Sequence, residues 1–393
     1  MRFVLTKGRS QYGSLRMHVD QLAAALAGLG HEAEIVDLIQ DEGAAVPLLR
    51  ALSRPVDCLV AFGGVAAEIA VPGSHIERPD FLYVALHVDH PVHHLSTLAK
   101  PIPRQAVFFL DRTHVQFLIA WAAGAPTQRR FAHIGFLPPG ADVLDEPVDL
   151  SDEAFAARDI GLLFTGTYRG PPAPVWEEWP QSPARALVAE TVEAMIQDGR
   201  LPLLDSLRAV LARRKVSLSA DLMESLAPLL SPAQFFVEAH QRHALIKALG
   251  EGGAPLQVHG AGWEAACADY PTFRYGGLGD AEETLRLLRR ARLVLNSNNG
   301  FIAGGHERVF AAMSAGAAVI SDASRYYADA FKPREMASFS WSKLDQVAAQ
   351  IAALSDDPPA LAAMARAGAK RAQAEHSWAA RAAQLVKAVK PLC

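Results

Sequence analysis

Three glycine-bearing segments in the second half of the chain hold residues suited to binding an anion. Thr165-Gly166-Thr167-Tyr168-Arg169 combines small residues and hydroxyls with one guanidinium, and His259-Gly260-Ala261-Gly262-Trp263 repeats the glycine theme. The third runs from Asn296-Ser297-Asn298-Asn299-Gly300 to Gly304-Gly305-His306-Glu307-Arg308 and enters a predicted helix. Glycines there let backbone N–H groups approach an anion, and a helix N-terminus adds partial positive charge. Arg308 can pair bidentately with phosphate oxygens, and Glu307 can accept from a ribose or sugar hydroxyl. One such loop alone reads as turn geometry. Three together point to a nucleotide-diphosphate site with Gly166, Thr167, Arg169, Gly260, Gly262, Asn298, Gly304, Gly305, His306, Glu307 and Arg308 as its candidate residues.

A second concentration is His87-Val88-Asp89-His90-Pro91-Val92-His93-His94. Three chemistries fit it. His and Asp at this density suit a metal ion, as in a metal-dependent hydrolase. Asp89 or His90 suits general-base work on an acceptor hydroxyl, which makes these two the catalytic candidates. The structural alternative has the histidines capping the next helix or packing behind Pro91. No second ligand cluster accompanies them, so no metal site is assigned.

The elements that must position these residues alternate. Strands are expected at 2–6, 34–38, 58–62, 81–86, 106–110 and 131–134, with a helix over 15–29 ended by Gly30. Polar, acidic sequence from Pro138 to Glu153 reads as a linker. A second series follows, with strands at 160–164, 256–258, 293–296 and 317–321 and a helix at 309–315. Alternation of this kind argues for parallel sheets with helices on both faces, and ligands gather at the carboxyl ends of their strands. Between 180 and 250 the pattern turns helical. Helices are expected at 183–197 and 232–249, each opening on a serine N-cap (Ser182, Ser231) with proline at the first position. The expected division is 1–150, then 158–375 with a helical insertion over about 180–250, then a terminal segment 376–393. Arg286, Arg289, Arg290 and Arg292 crowd the end of one helix, complement its dipole and read as a solvated face. Packing is the expected role of Trp263, Trp341 and Trp378, ahead of sugar stacking.

Composition removes several classes. A net charge of −4 from 38 basic and 42 acidic residues lacks the basic excess of a nucleic-acid binder. With half the residues hydrophobic and 20% charged, the chain is neither disordered nor fibrous. The three cysteines, Cys58, Cys267 and Cys393, are too scattered for a disulfide framework or a zinc site. Lys7 and Arg9 interrupt any signal peptide, and no apolar stretch approaches the ~20 residues of a spanning helix. A cytoplasmic protein is expected, with peripheral membrane contact left open and the oligomeric state unread.

Gly304 to Asp322, reading GGHERVFAAMSAGAAVISD, resembles the donor-site segment of GT-B glycosyltransferases. The nearest branch is that of the CgeB-type spore-maturation enzymes, whose version reads roughly E-R-x-F-E-A-x-A-x-G-x-x-x-x-x-D. The opening strand, Gly13-Ser14 loop and Leu29-Gly30-His31 resemble GT-B N-terminal domains. Leu137-Pro138-Pro139-Gly140-Ala141-Asp142 resembles the segment before their linker. Glu375-His376-Ser377-Trp378 with Arg381 resembles their closing helix, which commonly returns to the N-terminal domain.

The resemblance implies an α/β protein of two Rossmann-like domains facing across a cleft, with a helical insertion in the second. It implies a glycosyltransferase that moves a sugar from a nucleotide-diphosphate sugar, a UDP-sugar first, to a hydroxyl acceptor with no metal or other cofactor. Gly13 and Ser14 would form an acceptor-side loop, and Asp89 would stand in the cleft, with Asp111-Arg112-Thr113-His114 lining it or Asp111 capping a helix. Many retaining members carry two glutamates where this chain has Ala303 and Ala311. That departure keeps a non-catalytic nucleotide-sugar-binding subunit as an alternative, beside the metal-dependent hydrolase.

Overall fold

The computed structural model describes residues 1–39, 45–74, 76–77, 79–124, 131–298 and 300–393. They form two compact units. The first comprises Met1–Gly140, Leu218–Pro228 and Ser377–Cys393, and the second Ala141–Ser217 and Leu229–His376.

The first unit is built on β1 (Arg2–Lys7), β2 (Glu32–Asp37), β3 (Cys58–Phe62), β4 (Leu82–His87), β5 (Gln105–Phe109) and β6 (His133–Phe136). They form one parallel sheet in the order β2-β1-β3-β4-β5-β6. Every residue of β3, β4 and β5 is buried. This is why they read as unbroken apolar runs: a parallel strand covered on both faces has no wet side. Helix Ser14–Gly28 brings Val19, Leu22 and Leu26 to this core, and helix Trp378–Val389 brings Trp378, Ala382, Leu385 and Val389. Cys58 and Cys393, far apart in sequence, meet here as free thiols with their sulfurs 3.5 Å apart.

The second unit repeats the plan. Its strands are β7 (Ile160–Thr165), β8 (Gln257–His259), β9 (Arg274–Tyr275), β10 (Ala291–Asn296), β11 (Ala318–Asp322) and β12 (Ala337–Phe339). The order is β12-β11-β10-β7-β8-β9, again all parallel. In each sheet the connection reverses direction beside the first strand, between β1 and β3 and between β7 and β10. Such switch points open a crevice at the strand ends.

The inserted helices depart from the sequence reading in one respect. Helix Pro183–Asp198 opens as expected, with Ser182 Oγ accepting from Arg185 N at 3.1 Å. The expected start at Ser231-Pro232 does not occur: a single helix runs from Ala220 to Glu251, through Pro228 and Pro232. An interior proline costs about 3 kcal/mol. Here Met223, Leu226, Leu230, Ala233 and Val237 continue one buried stripe on both sides of the prolines, and that burial outweighs the cost. Residues 218–228 of this region belong to the first unit, so the insertion is not one body.

The arginines after Asp280 are not simply a solvated face. Arg290 pairs with Asp159, Arg289 lies 3.5 Å from Glu146, and Arg292 donates to the Arg158 and Ala156 carbonyls at 2.9 Å. They tie the acidic 144–159 stretch to the second sheet. Among the described residues no helix is long and apolar enough to cross a membrane.

Candidate functional site

Arg308 lies across the switch point of the second sheet. It sits in the first turn of helix Glu307–Ser314, where His306 caps the start by accepting from Arg308 N at 3.3 Å. Its Nε donates to Thr165 Oγ1 at the end of β7 (3.0 Å), and Nη1 donates to Asn296 Oδ1 at the end of β10 (2.7 Å). These bonds hold the guanidinium over the Phe164 ring at 5.2 Å, and a Cβ on Gly166 would stand 3.1 Å from Nη2. Burial lowers the Arg308 pKa, while Glu307 and then Tyr327 act to raise it.

Glycine is required where the neighbouring loops meet. Gly166 N donates to the His259 carbonyl at 2.8 Å, and Tyr168 N donates to Ala261 at 2.9 Å. A side chain on Gly260 (φ +124) would collide with the Gly166 carbonyl at 2.5 Å, and one on Gly262 (φ +83) with the Tyr168 carbonyl at 2.0 Å. Trp263 is fully buried beneath them and donates Nε1 to Gly166 O at 2.8 Å, a packing role. Trp341 and Trp378 also pack, each against the core of its own unit.

Two further cations share this edge. Arg242, from helix Ala220–Glu251, donates to the Thr167 carbonyl at 2.6 Å and also lies over the Phe164 ring, 5.7 Å from its centroid. Its pKa falls to about 10, through burial first and then repulsion from Arg308 and Arg169, with Glu238 opposing. Exposed Arg169 is thus close enough to be felt. Like charges held this close, partly out of water, are stabilised by an anion that takes charge-assisted hydrogen bonds from them.

The loop before Arg308 is braced from beneath. Buried Asp322 accepts from Asn298 N at 2.7 Å, Tyr327 Oη donates to Asn298 Oδ1 at 2.8 Å, and His306 N donates to Tyr327 Oη at 2.9 Å. Ser324 Oγ donates to the Gly304 carbonyl at 2.6 Å, and a Cβ on Gly305 would meet Tyr327 at 2.8 Å. Two backbone donors expected to face an anion, His306 N and Arg308 N, are therefore already engaged, and the guanidiniums carry most of the charge on offer. Glu307 reaches His306 Nδ1 at 3.0 Å. Asn299 lies outside the described residues.

At the first sheet's edge, Gly13 takes a left-handed conformation (φ +81) as it turns the chain into the helix that begins at Ser14. The preceding loop lies against the one after β3, since a Cβ on Gly8 would touch Val65 at 3.2 Å. Next along this edge come the histidines. His87 ends β4, is buried against Phe109 and His94, and has no hydrogen-bond partner on either ring nitrogen among the described residues. Burial, then His94, push its pKa to about 3, against a smaller raising effect of Asp89.

His90 is buried too, packs on His114 and Phe117, and uses Nδ1 to accept from Val92 N at 3.1 Å. That commits one face of His90 to capping. Asp89 is different: its side chain is 56% exposed and lies 3.6 Å from His94 Nε2. Desolvation opposes its ionisation, but His94, His93 and His87 hold its pKa below the usual carboxylate value. Asp111 caps helix Arg112–Ala123 by accepting from Thr113 N. Among the described residues, no three His, Cys, Asp or Glu side chains converge as metal ligands, so the metal-hydrolase reading gains nothing here.

Arg242 escaped the sequence reading because it stands on an inserted helix, flanked by Gln241 and His243, with no glycine or strand end nearby. The available signal was the four-residue spacing of Gln234, Glu238 and Arg242 along one helix face.

Residues 240–387 match the family model described as glycosyl transferase-like. No curated protein sequence matches the chain. Among solved structures, sucrose-phosphate synthase from Thermosynechococcus elongatus aligns with a TM-score of 0.58 at 12% identity, covering 100% of this chain and 99% of that one. HepE of Anabaena, solved in complex with UDP-glucose, aligns at 0.55 and 11% identity over 100% of both chains. AviGT4, a glycosyltransferase involved in avilamycin A biosynthesis, aligns at 0.51 and 16% identity over 100% of this chain and 98% of its own. The chain has the GT-B fold of two Rossmann-like domains, as the resemblance implied.

Proposed function

We propose that the protein is a glycosyltransferase that takes a nucleotide-diphosphate sugar, a UDP-sugar first, and transfers its sugar to a hydroxyl acceptor. The observation that carries this reading is Arg308 hydrogen-bonded to both strands of the second switch point, with Arg242 beside it and Gly166 at its tip. The match of residues 240–387 and the UDP-glucose bound by the fold relative HepE support it. The motif from Gly304 to Asp322 favours the CgeB-like branch.

In this reaction the bond from the sugar's anomeric carbon to the diphosphate oxygen breaks, and its electron pair leaves with the diphosphate. Arg308, Arg242 and Arg169 stabilise that charge as it develops. The acceptor oxygen forms the new bond to the anomeric carbon, and its proton passes to a base. Asp89, ionised and exposed, suits that role better than His90, whose ring is buried and tied to Val92. Thr167, Gly260, Gly262 and the 304–307 segment line the donor position, Asn298 supports it from beneath, and Gly13 and Ser14 serve the acceptor side.

A thermal-shift screen of UDP, GDP, ADP, CMP and dTDP tests this reading. A ligand at ~100 times its Kd adds about 2.7 kcal/mol to stability, so one nucleoside diphosphate should raise the melting temperature clearly. Absence of a shift with every nucleotide contradicts the proposal.

A further inference from the structure

The helix Ala220–Glu251 carries a polar row into the second unit. Gln234, Glu238 and Arg242 recur every fourth residue and so share one face. Arg242 reaches the Thr167 carbonyl beyond β7. The other two reach the loop beyond β10, where a Cβ on Gly300 would stand 3.0 Å from Gln234 Nε2 and 3.1 Å from Glu238 Oε1. Gly300 has φ +88, so this close approach uses both the conformational freedom and the missing side chain of glycine.

Gln234 donates Nε2 to Glu238 Oε1 at 3.1 Å, which orients both groups. Yet Gln234 is only 2% exposed, and its buried Oε1 has no hydrogen-bond partner among the described residues. A buried acceptor left in that state carries its full desolvation cost. The row is also polar along its length, cationic at 242 and anionic one turn earlier at 238. A phosphate belongs at the arginine end and is repelled at the other. What suits a carboxylate beside a buried, unsatisfied amide oxygen is a neutral group with several O–H donors.

We propose that Gln234 and Glu238 form a hydroxyl-binding subsite for the glycosyl part of the donor, beside the arginines that take its diphosphate. The assignment rests on the donor reading above and extends it to the helical insertion. Glu238 accepts from hydroxyls through its carboxylate, and Gln234 Oε1 accepts from a further one. The subsite makes the insertion a determinant of which sugar is accepted. Ribose hydroxyls share this chemistry, so the test must separate the two sources.

Calorimetric titration of the full-length protein with UDP and with UDP-glucose, UDP-N-acetylglucosamine and UDP-xylose does so, because UDP carries the ribose alone. For the sugar nucleotide that the wild type binds most tightly, Glu238→Ala and Gln234→Ala should each weaken binding by about tenfold or more, as expected for a lost hydrogen bond to a charged or buried group. UDP affinity should change by less than about twofold, and Glu238→Gln should fall between wild type and Glu238→Ala. The ratio of sugar-nucleotide to UDP affinity is the decisive readout, since general loosening of the helix lowers both together. Equal loss for UDP and UDP-sugar overturns the subsite, as does no loss for either. Failure of the wild type to bind any of the four compounds refutes the donor reading itself.

Discussion

At the scale of single residues, the site depends on which buried groups are charged. Asp322 sits beneath the donor loop, accepting from Asn298 N, Ser321 Oγ and Trp341 Nε1. Burial raises its pKa from 3.8 to about 6 despite those donors. The folded state therefore holds this proton more tightly than the unfolded chain. Its contribution to stability is full below about pH 4 and is lost as pH rises through 6, a loss on the order of 2–3 kcal/mol. Asp322→Asn should flatten this part of the urea-denaturation profile, and a variant with the wild-type slope between pH 4 and 6 contradicts the assignment. Sequence reading singled out Arg308, Gly166, Gly260 and Gly262 because three glycine-bearing loops past strand ends recur in one half of the chain, one of them with an arginine at a helix start. It passed over Arg242 and the bonds by which Asp322 and Tyr327 hold Asn298, which arise only through the fold.

At the scale of elements, β1 to β8, β10 and β11 were legible within a residue or two, most clearly where buried parallel strands are continuous apolar runs, whereas the short β9 and β12 were not expected. One local signal misled. Ser231-Pro232 looks like a helix start, yet burial of the stripe through Leu230 and Ala233 keeps one helix running. The histidine run after β4, to which no metal was assigned, disperses: His87 goes inward, His90 caps, and Asp89 faces out. The inward histidine has a consequence. With its pKa near 3 instead of 6.5, His87 must stay neutral in the fold, so stability falls as pH drops from about 6.5 toward 3. His94 and Asp89 face it and act in opposite directions. His87→Phe, able to stack on Phe109, should remove roughly 3 kcal/mol of the loss between pH 7 and pH 4. An unchanged acid profile would show that His87 is not the group responsible.

At the scale of the whole molecule, two units with the same alternating plan hold different chemistry at their strand ends. The first presents a carboxylate among histidines, and the second gathers Arg169, Arg242 and Arg308 around glycines. The chain's net charge of −4 conceals that local positive field. If the second unit's arginines bind a nucleoside diphosphate, UDP titration calorimetry on wild type, Arg308→Ala and Arg242→Ala will show it. The wild type should bind UDP measurably, and each variant should lose about tenfold to a hundredfold in affinity while remaining folded. Wild-type affinity in both variants, or no UDP binding by the wild type, would contradict it.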